Sequence, residues 1–253
     1  MNQAGHVSYL IRKQRKMIKV EDTEVMGLRK AIRSMRNASN SWDESTSYMY
    51  YPSSDEDWNY GYWENEPEFI IGESDMELAK YLIKTGSLDR EFLRMIHAQA
   101  DVTAPLYWWR EMSIYKISTI PNNCFPIDTI LKKEFTVNDF SREHLDELPT
   151  FALPKSGFQF DRALEDVIDT LNSAREMYLE TENKDYWWQV IQLLPLSFNQ
   201  MCTIDLDYET LLSIYHQRKD HKLDEWVEFC GWIRTLPYMS EFLESYSQAE
   251  PKE

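Results

Sequence analysis

Along the second half of the chain, apolar residues recur every three to four positions, the period of a helix with one buried stripe. Phe160, Leu164, Val167, Ile168, Leu171, Ala174 and Tyr178 predict the longest helix, over 158–181. The run YWWQVIQLL predicts the next, halted at Pro195. Further helices are expected over about 207–218 and 223–234, with a terminal one after Pro237.

The first half reads differently. Residues 8–20 (SYLIRKQRKMIKV) are basic and contain β-branched residues, predicting a first strand. Thr23 offers an N-cap for a helix in which Met26, Leu28, Ile32 and Met35 share one face as far as Arg36. Arg29, Arg33 and Arg36 lie opposite, as a solvated face or a contact for phosphate. Ser74 begins a capping-box pattern, Ser-Asp-Met-Glu, ahead of LAKYLIK, and Gly86 ends that helix. Ser87 is the expected cap of DREFLRMI. HAQADVT at 97–103 predicts a short strand, and 104–116 an aromatic helix with Pro105 in its first turn. A turn (PNNCFP) and a short helix at 141–147 complete the outline.

Composition fixes the scale. The chain has 253 residues, 43% of them apolar, with nine tryptophans and fifteen tyrosines, enough for a sizeable core. Seven glycines argue against a turn-dense β-sandwich. With no repeat and no clear boundary, the expectation is one domain over 1–253. It carries an acidic, aromatic excursion at about 40–72, within a stretch lacking any lysine or arginine from Asn37 to Ala79. That excursion reads as a protein-partner surface, a lid, or a loop packed on a neighbouring subunit.

Charge and cysteines remove several function classes. A net charge of −16 opposes direct nucleic-acid binding and adhesion to an anionic membrane. No apolar run is long enough to span a bilayer, and the N-terminus lacks a signal peptide's apolar stretch, so a cytoplasmic protein is expected. Cys124, Cys202 and Cys230 are scattered without a C-x-x-C pair, giving neither a disulfide framework nor a zinc site. His216 and His221 are five apart, on different faces of a helix, and no metal is expected.

The stretch Leu194–Arg218 (LPLSFNQMCTIDLDYETLLSIYHQR) resembles a signature of the flavin-dependent thymidylate synthases: a leucine-proline pair, a polar strand, a helix, and an arginine before a second helix. VTAPLYWWRE resembles that family's strand-to-helix segment, in which an alanine-proline pair leads into the flavin motif. The family motif is Arg-His-Arg, seven residues, then serine; this chain has Ile114-Tyr115-Lys116, seven residues, then Cys124. Together the matches cover roughly residues 75–235.

The resemblance implies an α/β fold with a central mixed or antiparallel sheet flanked by many helices. It implies a homotetramer, a pyrimidine nucleotide of the dUMP type as substrate, and FAD with NADPH for one-carbon transfer. Arg218 is carried over as the contact to the pyrimidine, with Ser197, Asn199, Gln200 and Arg110 around it. Lys116, Tyr115, Ser87, Asp207 and Ser213 fall in cofactor-facing registers. Arg218 also has a plainer account, an ion pair with Asp220 or Asp224. Cys124 stands in the register of the motif serine, as a nucleophile or a small buried residue.

The substitutions weaken the cofactor site physically. Ile114 donates nothing, Lys116 supplies a point charge rather than a fork, and Asp207 and Glu209 would repel a pyrophosphate. The alternative is therefore a non-catalytic relative that binds a nucleotide or a protein.

Overall fold

The computed structural model describes residues 17–51, 67–115, 127–145 and 160–247. Its central strand follows from the alternation in HAQADVTAP: Ala98, Ala100, Val102 and Ala104 are buried while the residues between them are half-buried. Among the described residues five strands, β1 (Lys19–Met26), β2 (Tyr48–Tyr50), β3 (Glu68–Ile70), β4 (His97–Pro105) and β5 (Asn199–Asp207), form two sheets. The larger has the order β1-β4-β5, antiparallel throughout, with Thr103 opposite both Lys19 and Met201. β2 and β3 pair as a separate antiparallel ribbon. The expected sheet flanked by helices is thus present, and it is antiparallel.

Eight helices surround it among the described residues: α1 (Leu28–Ser34), α2 (Glu73–Thr85), α3 (Leu106–Met112), α4 (Phe160–Thr181), α5 (Lys184–Leu193), α6 (Tyr208–Arg218), α7 (Asp224–Ile233) and α8 (Met239–Ser247). Small side chains on the covered face of β4, with Ile204 and Leu206 of β5, pack in one cluster with Ile32, Ile83, Trp108, Leu211, Trp226, Phe229 and Phe242. A second cluster joins Ile168, Leu171 and Ala174 of α4 and Val190 of α5 to Leu131, Phe135 and Phe140. Phe140 meets Phe198 at 5.5 Å between ring centres and ties this cluster to the start of β5.

Several boundaries differ from the sequence expectation. The first strand is 19–26, not 8–20, and residues 1–16 lie outside those described. Thr23 is in that strand, where its Oγ1 accepts the Trp232 indole N–H at 3.0 Å. The break before α1 comes at Gly27, with φ of 87°. A Cβ there would sit 2.0 Å from the Met95 carbonyl oxygen, so both conformation and space require glycine. Ser74 does not cap α2: the helix starts at Glu73 after Gly72, and the Ser74 hydroxyl donates to the Glu44 carbonyl instead. Ser87 caps nothing either, since the following segment is a 3₁₀ turn over Glu91–Met95.

The aromatic helix is shorter than 104–116, because Pro105 still belongs to β4 and α3 ends at Met112. Of 141–147, residues 143–145 form a turn and bend, residues 146–147 lie outside those described, and the helical turns fall earlier, at Ile127–Lys132 and Val137–Asp139. Arg36 is not on a solvated stripe but 4% exposed, bonded to Asp75. The cysteine expectation also needs correction: Cys202 is disulfide-bonded and Cys230 is free. Scatter along a chain sets no limit on which thiols meet in the fold. Among the described residues no helix is long and apolar enough to cross a membrane, and no group of His, Cys, Asp and Glu is placed to hold a metal.

Candidate functional site

Asp207 ends β5 and caps α6, its Oδ1 accepting the Thr210 N–H at 2.7 Å. Eleven residues on, the helix delivers Arg218 at its C-terminal end. The Arg218 Nε donates to the Tyr115 hydroxyl and its Nη1 to Glu111 Oε2, both at 2.9 Å. The guanidinium centre lies 4.7 Å from the Trp226 ring centre. Glu111 Oε2 also accepts the Trp226 indole N–H at 3.1 Å. Arg218 Nη1 donates as well to His221 Nε2 at 2.9 Å, while His221 Nδ1 faces the Leu223 N–H at 3.2 Å. A neutral imidazole accepts at only one nitrogen, so His221 serves one of these donors at a time.

Arg218 is therefore held in a partly buried frame, with its side chain 15% exposed. Its partner is Glu111 of α3 rather than Asp220 or Asp224; Asp224 instead faces His144 at 3.3 Å. Arg218 Nη2 makes no hydrogen bond among the described residues, leaving one arm of the fork for a ligand carbonyl or phosphate.

Ser197, Asn199 and Gln200 form a second group at the other end of α3. The Leu196 and Phe198 carbonyls accept the N–H groups of Tyr107 and Leu106, satisfying the first turn of α3. The Ser197 carbonyl accepts the Ser141 N–H at 2.8 Å, and the Gln200 carbonyl accepts the Trp109 indole N–H at 3.0 Å. Ser197 and Gln200 thus act here through their backbones. Asn199 Oδ1 is buried and has no hydrogen-bond partner among the described residues.

Tyr107 and Glu111 stand four residues apart on one face of α3 and link the two groups. The Tyr107 hydroxyl donates to Glu225, which is 2% exposed at the start of α7, next to Trp226. The Ser141 hydroxyl bridges Tyr107 (3.0 Å) and Glu143 (3.0 Å). Burial, and a proton shared with the Glu225 carboxylate, push the Tyr107 hydroxyl well above the ordinary phenol range, so it stays protonated.

The cofactor-facing candidates are spent elsewhere or lie apart. Tyr115 accepts from Arg218 and donates to Gln217 at 3.0 Å, and Ser213 accepts from Gln217 at 3.0 Å. Asp207 is a helix cap, 3% exposed, and Glu209 is paired with Arg90 through both oxygens at 3.0 and 2.8 Å. Ser87, Arg110 and Ile114 are exposed to solvent. Lys116 and Cys124 lie outside the described residues. Burial pushes the free Cys230 thiol up to about 12, which makes it an inert core group.

Sequence reading missed Glu111, Tyr107, Glu225, Trp226 and His221 as parts of one constellation. The four-residue spacing of Tyr107 and Glu111 was the available signal; their partners on α6 and α7 lie more than a hundred residues away.

The two buried tryptophans here provide a matched test. Trp108 and Trp226 are both fully buried and 4.8 Å apart between ring centres. The Trp108 indole N–H has no partner among the described residues, whereas that of Trp226 holds Glu111. Trp108→Phe is expected to destabilise less than Trp226→Phe, by about 1 kcal/mol, because only the second leaves a former acceptor short of a donor. Denaturant unfolding of both variants checks this ordering.

No protein-family model matches the sequence, and no curated protein matches it at the level of sequence. Solved structures match in fold. A thymidylate synthase X of Helicobacter pylori, crystallised with FAD and dUMP, superposes with a TM-score of 0.58 at 12% identity, covering 90% of this chain and 99% of that one. A second structure of the Helicobacter pylori enzyme with the same ligands gives 0.57 at 13% identity, covering 89% and 97%. A UMP/dUMP methylase, PolB, from Streptomyces cacaoi, bound with 5-Br dUMP, gives 0.53 at 14% identity, covering 92% and 96%. The chain shares this fold over nearly its whole length.

Proposed function

We propose that this chain is a thymidylate synthase X-like protein that binds a pyrimidine deoxynucleotide of the dUMP type through Arg218, without flavin-dependent turnover. The observation that carries the reading is the preorganised guanidinium: two of its nitrogens are fixed by Tyr115 and Glu111, its face rests on Trp226, and Nη2 is left open. A donor already fixed in place loses little entropy when a ligand arrives. Glu111 neutralises part of its charge, which suits a neutral pyrimidine carbonyl better than a phosphate.

The described residues do not fit FAD. A flavin dinucleotide's pyrophosphate calls for fixed cations or several free donors. Tyr115, Ser213 and Asp207 are committed to internal hydrogen bonds, Ser87 lies in an exposed turn, and the cation nearest Glu209, Arg90, is spent on that carboxylate. A homotetramer belongs to the same proposal, and molar mass in solution tests it.

Titration calorimetry of the full chain with dUMP is expected to show saturable binding by colourless protein. Absence of binding would overturn the reading. Yellow protein with NADPH oxidation stimulated by dUMP would establish the enzyme in its place.

A second role, contact with another protein, is supported by the ribbon β2–β3. Tyr48, Tyr50, Tyr51 and Trp42 are all at least 41% exposed there, within the stretch that lacks lysine and arginine.

A further inference from the structure

The ribbon β2–β3 is tied to the domain at both ends and along one face. Before β2, Ser47 gives its N–H and its hydroxyl to Asp75 Oδ2, and the same hydroxyl accepts the Gly72 N–H at 3.0 Å. A Cβ on Gly72 would lie 2.3 Å from the Thr46 carbonyl oxygen, so the chain enters and leaves the ribbon at close contact. After β3, the Tyr238 hydroxyl accepts the Ile71 N–H at 3.0 Å and donates to the Phe69 carbonyl at 3.2 Å. Phe69 packs on the main core and stands opposite Met49. By strand alternation, Tyr48, Tyr50 and Glu68 then face outward. Tyr48 is 55% and Tyr50 49% exposed, and Glu68 is exposed directly opposite Tyr50. So short a ribbon has little stability alone, and its anchors are what give this outer face a fixed shape.

Elsewhere this fold holds two arginines with an aromatic ring and a carboxylate together. Arg218 lies 4.7 Å from the Trp226 ring centre and pairs with Glu111; Arg90 lies 4.5 Å from the Tyr246 ring centre and pairs with Glu209. Tyr50 and Glu68 present the ring and the carboxylate of the same arrangement, side by side across two strands, without the arginine. Glu68 has no ion pair or side-chain hydrogen bond among the described residues. Trp42, by contrast, already has Arg33 over its ring at 5.2 Å. We infer that the outer face of the ribbon docks an arginine-bearing segment of a partner protein, with one guanidinium stacked on Tyr50 and paired with Glu68, and Tyr48 offering a second ring. Arginine fits better than lysine, because a planar guanidinium can lie on a ring while its fork meets a carboxylate. The sequence joining the two strands adds Asp55, Glu56, Asp57, Glu64 and Glu66 and no cation, a field that draws a basic segment and repels nucleic acid. This inference rests on the reading of the ribbon as a protein contact and is independent of Arg218.

The test uses the full chain and three short fluorescent peptides of equal length, in which serine alternates with arginine, lysine or glutamine, read by fluorescence anisotropy at physiological salt. The arginine peptide is expected to bind about fivefold more tightly than the lysine peptide, and the glutamine peptide not at all. Tyr50→Leu keeps apolar bulk and net charge, and Glu68→Gln keeps side-chain size; each is expected to weaken the arginine peptide about fivefold. Glu176→Gln, on the exposed side of α4, removes the same charge as Glu68→Gln and should leave the affinity near wild type. All three positions are exposed, so the variants should fold, and thermal midpoints check that they do. Equal affinity for the arginine and lysine peptides, both weakened by Tyr50→Leu, would end the arginine assignment while leaving the ribbon a contact surface. No binding of the arginine peptide overturns the inference outright. Binding that Tyr50→Leu and Glu68→Gln alter no more than Glu176→Gln does would reduce it to the general charge of the chain, and overturns both the inference and the ribbon's role.

Discussion

Asp75→Ala is expected to remove about 3–5 kcal/mol of folding stability, the range for breaking a buried ion pair from one side. Asp75 is fully buried and Arg36 is 4% exposed, with Arg36 Nε donating to Asp75 Oδ1 at 2.6 Å. Asp75 Oδ2 accepts the hydroxyls of Ser45 (2.6 Å) and Ser47 (2.5 Å) and the Ser47 N–H (3.1 Å). Truncation leaves a buried guanidinium and three further donors facing a void. Arg36 also donates to Ser74 Oγ at 3.0 Å and to Glu44 at 3.2 Å, so the same carboxylate docks segment 41–47 on α2 and thereby sets where the ribbon β2–β3 leaves the domain. Urea unfolding at neutral pH measures the loss, and a change below about 1 kcal/mol would mean that the network is dispensable.

The same carboxylate gives a pH signature. Burial alone would raise its pKa, but the hydrogen bonds from Ser45, Ser47 and Arg36, with the charge of Arg36, outweigh burial and hold it below the usual carboxylate range. A depressed folded-state pKa means that the unfolded chain takes up the proton first. The stabilisation is therefore complete above the unfolded value near 3.8 and is lost as pH falls through the lower folded value. Wild-type stability should drop steeply below about pH 4, and Asp75→Asn should flatten that limb while costing less than the alanine variant at neutral pH.

How far the sequence anticipated this molecule depends on the range of the interaction concerned. Helix α6 was legible almost to the residue, because its cap, Asp207, and its end, Arg218, are local signals. The strand β4 was legible from period-two burial, and α4 from seven apolar residues at helical spacing. The first strand was not. Met26, Leu28, Ile32 and Met35 carry a helical spacing straight across Gly27, and only pairing with β4 extends the chain through Thr23. Ser74 fits a capping box in sequence, yet its hydroxyl is claimed by Glu44 and Arg36, some thirty residues or more away. The Arg218 partner failed for the same reason. Asp220 and Asp224 are near in the chain, but the helix end turns Arg218 toward Glu111, which is separated by 107 positions. Local chemistry was readable; tertiary competition for polar groups was not.

Arg218→Ala is expected to weaken dUMP binding by about tenfold to a hundredfold, the effect of losing one hydrogen bond from a charged donor. The fold itself should survive. Glu111 keeps the Trp226 indole N–H at 3.1 Å and has His221 Nε2 at 3.7 Å, and its side chain is 34% exposed, so water can replace part of the lost guanidinium. A thermal midpoint close to wild type would confirm that any loss of affinity is local. Arg218→Lys separates charge from geometry. A lysine retains the positive charge but cannot hold Tyr115 and Glu111 with two nitrogens while presenting a third, so it should recover only a small part of the affinity. Recovery to the wild-type value would mean that charge alone is read. If the alanine variant is folded and binds dUMP as tightly as wild type, Arg218 is a strut joining α6 to α3 and α7, and the pyrimidine is held somewhere else.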